Sequence, residues 1–310
     1  MRVSRRAAIQ NLGALVPWAA LGGCARDPGD PLLRSNDQLL RSMARIKPLF
    51  PNKRPPKAFD WLASHKETGQ TFAEYRKTSR AKIANVYSTL RVVPIGSMSE
   101  AHEEVLLIVV ELLKPFFGLA LTVDSTLSLD EVPANAKRVP FDDASLQLLT
   151  THLLERALPR YRRETDAAVL GITSVDLWAG PGWNFVFGQG SLTERVGVWS
   201  MARSGDPGAD AERRHTCILR TLKTAAHETG HMFGIKHCTA YECGMNGSNN
   251  NFERDEQPVE FCPECQAKLW WTCDLDPVKR SAALSKIAQA HGLTALSTWW
   301  KRQEQLLIGN

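Results

Sequence analysis

The feature that most constrains this chain is the run His227-Glu228-Thr229-Gly230-His231. On a helix, residues four apart share one face, so both imidazoles can reach a single ion. Gly234 and His237 extend the run to H-E-x-x-H-x-x-G-x-x-H. A glycine tolerates the left-handed conformation that ends a helix, so the chain can turn there and bring His237 round as a third ligand. Three imidazoles leave a fourth place for water, the open geometry of a catalytic zinc. Glu228 sits beside the first ligand and is placed to act as general base on that water, which then attacks a peptide carbonyl. Five fixed positions recur by chance in about one chain in 10⁴–10⁵ of this length.

Cysteine usage points the same way. Five of the seven cysteines (Cys238, Cys243, Cys262, Cys265 and Cys273) fall after the third histidine. Cys238 with Cys243, and Cys262-Pro263-Glu264-Cys265, form two closely spaced pairs, as a tetrahedral Cys₄ structural zinc requires. Two disulfides are the alternative if the protein is exported. Two zinc ions per chain are therefore expected, one catalytic and one structural. Cys217 lies in an apolar helical stretch and reads as a core residue. The histidines His65, His102, His152, His215 and His291 are scattered and are expected on the surface or in the core.

The N-terminus carries a different signal. Residues 1–23 hold Arg2, Arg5 and Arg6, no acid, and a short apolar core. That core is too short for a bilayer span of ~20 residues and reads as an export signal. Ser4-Arg5-Arg6 is similar to the start of a twin-arginine signal. Leu21-Gly22-Gly23-Cys24 resembles the lipobox of bacterial lipoproteins, which implies lipidation at Cys24. The expected address is the bacterial cell envelope, exported and lipid-anchored on the periplasmic side, with the cytoplasm as the alternative. The membrane partner would be reached only through that anchor. The whole chain carries a formal net charge of +5, and without the three arginines +2. This near-neutral balance gives no electrostatic case for nucleic acid.

Along the chain, residues 24–57 read as a Pro-rich, basic tether and 58–87 as an N-terminal helical segment. Residues 88–310 read as the catalytic domain. Within it the pattern predicts a strand at 90–95 and a helix from Glu100, capped by Ser99 and stopped by Pro115. A strand follows at 119–123, and then a helix from Asp142 or Asp143 to about Ala157. Strands are predicted at 167–173, 184–189 and 195–201. A long helix runs from Ala211 into the histidine motif, and one or two amphipathic helices occupy the last 35 residues. Strands alternating with helices argue for an α/β or α+β layer over one sheet.

The run from His227 to Cys265, with Met245 between the cysteine pairs, resembles the archaemetzincins. Upstream, residues 169–203 look like that family's two strands before the active-site helix, and the pairs Asp60-Trp61 and Ser64-His65 resemble the N-terminal segment of its longer, animal-type members. The resemblance implies an α+β, metzincin-like zincin fold. Its parts are a twisted mixed sheet, an active-site helix and a zinc-stapled C-terminal part. It also implies a Met-turn at Met245 and a peptide or protein substrate lying along an edge strand near residues 184–190. The function so implied is a zinc metallopeptidase. The second reading is a weak or inactive zinc-containing surface protein of the same fold that binds peptides. Retention of Glu228 argues against that reading, because binding alone needs no base.

Overall fold

The computed structural model describes residues 36–78, 83, 86–140 and 145–309. The export signal, Cys24 and the caps expected at Asp142 or Asp143 lie outside them. In chain order the described helices of six residues or more are α1 (Asn36–Ile46), α2 (Phe72–Thr78), α3 (Glu100–Phe117), α4 (Ala211–Met232), α5 (Asn251–Glu256), α6 (Pro263–Cys273), α7 (Pro277–Ala290) and α8 (Thr294–Ile308). The strands are β1 (Thr89–Ile95), β2 (Ala120–Val123), β3 (Lys137–Arg138), β4 (Gln147–Leu149), β5 (Asp166–Thr173), β6 (Asp176–Trp178), β7 (Gly188–Gly190) and β8 (Val196–Ser200). The residues fall into two compact units. One lies within Val86–Val110 and Leu119–Met232, the other within Pro28–Asn85, Glu111–Gly118 and Phe233–Asn310.

The first unit is built on a mixed sheet of order β2-β1-β5-β8-β7. The four strands from β2 to β8 are parallel, and β7 closes the edge antiparallel to β8. Every residue of β5 is buried. That explains its unbroken apolar run, since a central parallel strand is covered on both faces. Val93, Ile95, Val169, Val196 and Val198 form the core with Leu148, Leu153 and Leu177. Helix α4 packs on β8 and β7, burying Ile218, Leu222, Ala225, Ala226 and Met232. Burying each large aliphatic here stabilises the fold by about 1.5–3 kcal/mol.

Three local expectations are corrected. The stretch before Ala157 is not one helix. Gln147–Leu149 pairs with β3 and β6 as a strand, and helical turns begin only at Thr150. The strand expected at 184–189 contracts to Gly188–Gly190, with Val186 making a single bridge to Leu177. Pro115 does not stop α3, which runs to Phe117 and ends at Gly118 in the left-handed region (φ 64°). A proline in the last turn removes one backbone donor there, so the glycine provides the stop.

The second unit is helical. Helix α6 buries almost its whole circumference, including Lys268, Leu269 and Trp270, and α1 and α2 pack against it. Helices α7 and α8 form a hairpin. The side chain of Asp276 caps α7 by accepting from the N–H groups of Val278 and Lys279, with Pro277 in the first turn. Arg280 and Glu260 make a fully buried bidentate pair (2.7 and 2.9 Å), and the Trp300 indole also donates to Glu260 (2.7 Å). The segment after α1 is fastened too: Lys53 pairs with Glu242 at 2.9 Å and Asn52 bridges to Tyr241.

Candidate active site and metal centres

Helix α4 carries His227 and His231 one turn apart. Their Nε2 atoms approach to 2.9 Å, and the rings stand at 89° with centroids 4.5 Å apart. Two nitrogens sharing one tetrahedral zinc at ~2.05 Å would lie about 3.3 Å apart. Gly234, with φ 79°, ends the helix, and six residues after His231 the chain reaches His237. The candidate ligand atoms of His227, His231 and His237 all lie within 4.8 Å of one another. Three neutral nitrogen donors from one short stretch suit a catalytic zinc with an open position.

Glu228 is 7 % exposed, in contact with the edge strand. A Cβ on Gly188 would lie 2.8 Å from Glu228 Cγ, and one on Gly190 would lie 2.6 Å from the Glu228 carbonyl oxygen and 3.1 Å from His231 Cβ. Only glycine lets β7 run this close. Burial pushes the Glu228 carboxyl up to about 8, opposed by the N–H of Gly190, which donates to it. A divalent cation nearby would favour the carboxylate and offset that burial. The only sequence trace of this contact is the spacing Gly188-Gln189-Gly190, which by itself does not point to Glu228.

Cys238, Cys243, Cys262 and Cys265 also converge, their sulfurs within 4.8 Å of one another and all buried. None is in a disulfide. The sulfurs of Cys238 and Cys262 are 3.6 Å apart. Two thiolates on one zinc at ~2.3 Å would be about 3.8 Å apart. The N–H groups of Cys262 and Met245 point at Cys243 Sγ (3.1 and 3.4 Å). Hydrogen bonds from Cys243, Cys262 and Cys265 pull the Cys238 thiol far below its ordinary value, whereas burial pushes Cys243 and Cys262 above theirs. Thiols packed this closely cannot all ionise without a cation between them, which a bound zinc would supply. Lys268, fully buried, brings Nζ to 3.9 Å from Cys265 Sγ and bonds the Gln70 carbonyl. A buried lysine against these sulfurs fits an anionic tetrathiolate.

Met245 is fully buried, and its carbonyl accepts from the Cys238 N–H at 2.7 Å. Cys217 is a buried core residue, as expected, and burial raises the Cys273 thiol. His65, His102, His152, His215 and His291 stand outside both groups: His65 stacks on Trp61, His102 meets Ser99 and His291 meets Glu111. Among the described residues, no helix is long and apolar enough to cross a membrane.

Residues 149–270 match the family model described as Peptidase family M54. Archaemetzincin-2 of Pongo abelii is 33 % identical over 264 residues, covering 73 % of this chain and 71 % of that protein. The archaemetzincin of Methanopyrus kandleri is 38 % identical over 145 residues, covering 46 % of this chain and 79 % of that one. The crystal structure of archaemetzincin from Methanopyrus kandleri superposes with a TM-score of 0.49 at 29 % identity, over 61 % of this chain and 97 % of that chain.

Proposed function

Because the chain belongs to the archaemetzincin family of zinc metallopeptidases, we propose that His227, His231 and His237 hold its catalytic zinc and that Glu228 is the general base. Bound by three imidazoles, zinc supplies Lewis acidity that lowers the pKa of water to about 7. The rest of the chemistry falls to side chains and backbone. Glu228 accepts the proton of the attacking water and returns it to the leaving amine, so one amide bond and one water become a carboxylate and an amine. Strand β7 is the sheet edge nearest Glu228, and an extended peptide would add to it by backbone hydrogen bonds. Cys238, Cys243, Cys262 and Cys265 hold a second, structural zinc. Met245, packed at the turn between the cysteine pairs, forms the Met-turn.

The observation that carries this reading is the contact between Glu228 and β7. A carboxylate is held at a buried place beside two converging imidazoles, where a binding protein would have no use for it. Cleavage of a peptide library by the wild type and by Glu228→Gln tests it. The variant should keep its zinc and lose activity by about 10²–10⁴-fold, the contribution of a general base. Equal activity in both proteins would refute the role of Glu228. Zinc without cleavage in either would favour the peptide-binding alternative. The N-terminal pattern supports a further part of the proposal, that residues 1–23 direct export and Cys24 carries a lipid. Labelled fatty acid should then appear on the wild type and not on Cys24→Ala.

A further inference from the structure

We propose that Glu67 is the positioning residue for His237, fixing the tautomer and ring orientation with which that histidine meets the metal. The proposal rests on the catalytic-zinc reading above. His237 Nδ1 lies 2.9 and 3.0 Å from the two carboxylate oxygens of Glu67. A carboxylate can only accept, so Nδ1 carries the proton and donates it. Nε2 is then the ring nitrogen that carries the lone pair able to bind a cation. Such a carboxylate partner orients a histidine ligand and raises its basicity.

Glu67 is itself held. The Trp61 indole N–H donates to its Oε1 at 3.1 Å, and the Trp61 ring stands edge-on to His237 with centroids 5.2 Å apart at 81°. His65 stacks on Trp61 at 3.7 Å. The Trp61 backbone N–H donates to both oxygens of Glu253 at 3.0 Å. A Cβ on Gly247 would lie 2.5 Å from the indole, so Trp61 is seated directly against that backbone. The Asp60-Trp61 and Ser64-His65 pairs thus bracket a helical turn, Trp61–Ser64, whose fixed aromatic residues present the Glu67 carboxylate to the third histidine. Glu67 bonds the Trp61 indole and His237 Nδ1, so it acts on the metal through His237.

The test is zinc affinity, read by competition with a chromogenic chelator, for the full chain and for Glu67→Ala, Glu67→Gln and Trp61→Phe. Glu67→Ala should weaken the histidine-bound zinc by about 10–100-fold and leave the cysteine-bound zinc unchanged. Glu67→Gln retains an oxygen acceptor for the Nδ1 proton and should recover part of that loss. Trp61→Phe keeps an aromatic ring against His237 but removes the donor to Glu67, and should fall between wild type and Glu67→Ala. In the cobalt-substituted protein, the visible absorption of the histidine site should shift in Glu67→Ala, which a merely structural role would not produce. If the wild type binds two zincs and Glu67→Ala holds both as tightly with an unshifted spectrum, the positioning role is refuted while the functional reading stands. A wild type that binds no zinc at the histidines overturns both.

Discussion

At the scale of single residues, the site depends on close approach. Gly190 passes so near Glu228 and His231 that any side chain must push one of them. Displacing a catalytic group by about 1 Å can cost roughly 10² in rate. Gly190→Ala is therefore expected to lower kcat/KM by about that factor while retaining zinc. Gly208→Ala, whose Cβ would meet only Asp206 Oδ1 at 3.3 Å and Ala101 Cβ at 3.8 Å, should leave activity near wild type. Assaying the two variants side by side checks this, and equal activity would remove the steric argument. The motif residues were readable because helical periodicity places His227, Glu228 and His231 without knowledge of the rest of the fold. Gly188, Gly190 and Glu67 were not, because each acts on a residue distant in sequence. A lone glutamate or a G-x-G in a loop carries no periodic signal.

At the scale of elements, two constructions make separate predictions. Arg91 of β1 bonds Asp124, just after β2, at 2.8 Å, and Asp166 at the start of β5 at 2.6 Å. Burial alone would raise the Asp124 carboxyl, but the N–H of Ser125 and the guanidinium of Arg91 outweigh it and hold Asp124 below its ordinary value. Its stabilising contribution is thus fully present above the unfolded carboxylate value of ~3.9 and is lost as pH falls below it. Denaturation midpoints between pH 7 and pH 3 should show Asp124→Asn less acid-sensitive than wild type. Parallel slopes would contradict the assignment. The second construction is the cysteine centre, which links the turn after His237 to the start of α6. Cys243→Ser should bind one zinc fewer and lose stability on the order of several kcal/mol, enough to lower Tm by about 10 °C. Calorimetry with zinc analysis checks both at once. Strands β1, β5 and β8 and helix α4 follow directly from apolar runs and periodicity. Strands β4 and β6 do not, because three-residue strands are too short for a period to register, and their pairing is set by tertiary contacts such as Gln147 with Asp176.

At the scale of the whole molecule, the proposed function puts zinc to two different uses. Three half-buried imidazoles would leave a place open for chemistry, and four buried sulfurs beside Lys268 would close a second site for stability. The sequence distinguished these uses because donor type is written in residue identity. What surrounds them was hidden until the chain was folded: the glycine edge beside Glu228, the lysine beside the thiolates, the Trp61–Glu67 brace on His237. The most direct test is the zinc content of the purified chain and of its His231→Ala variant, determined in one elemental analysis. The account predicts two zincs per chain in the wild type and one in the variant. A wild type with a single zinc, or a variant that keeps both, would contradict it.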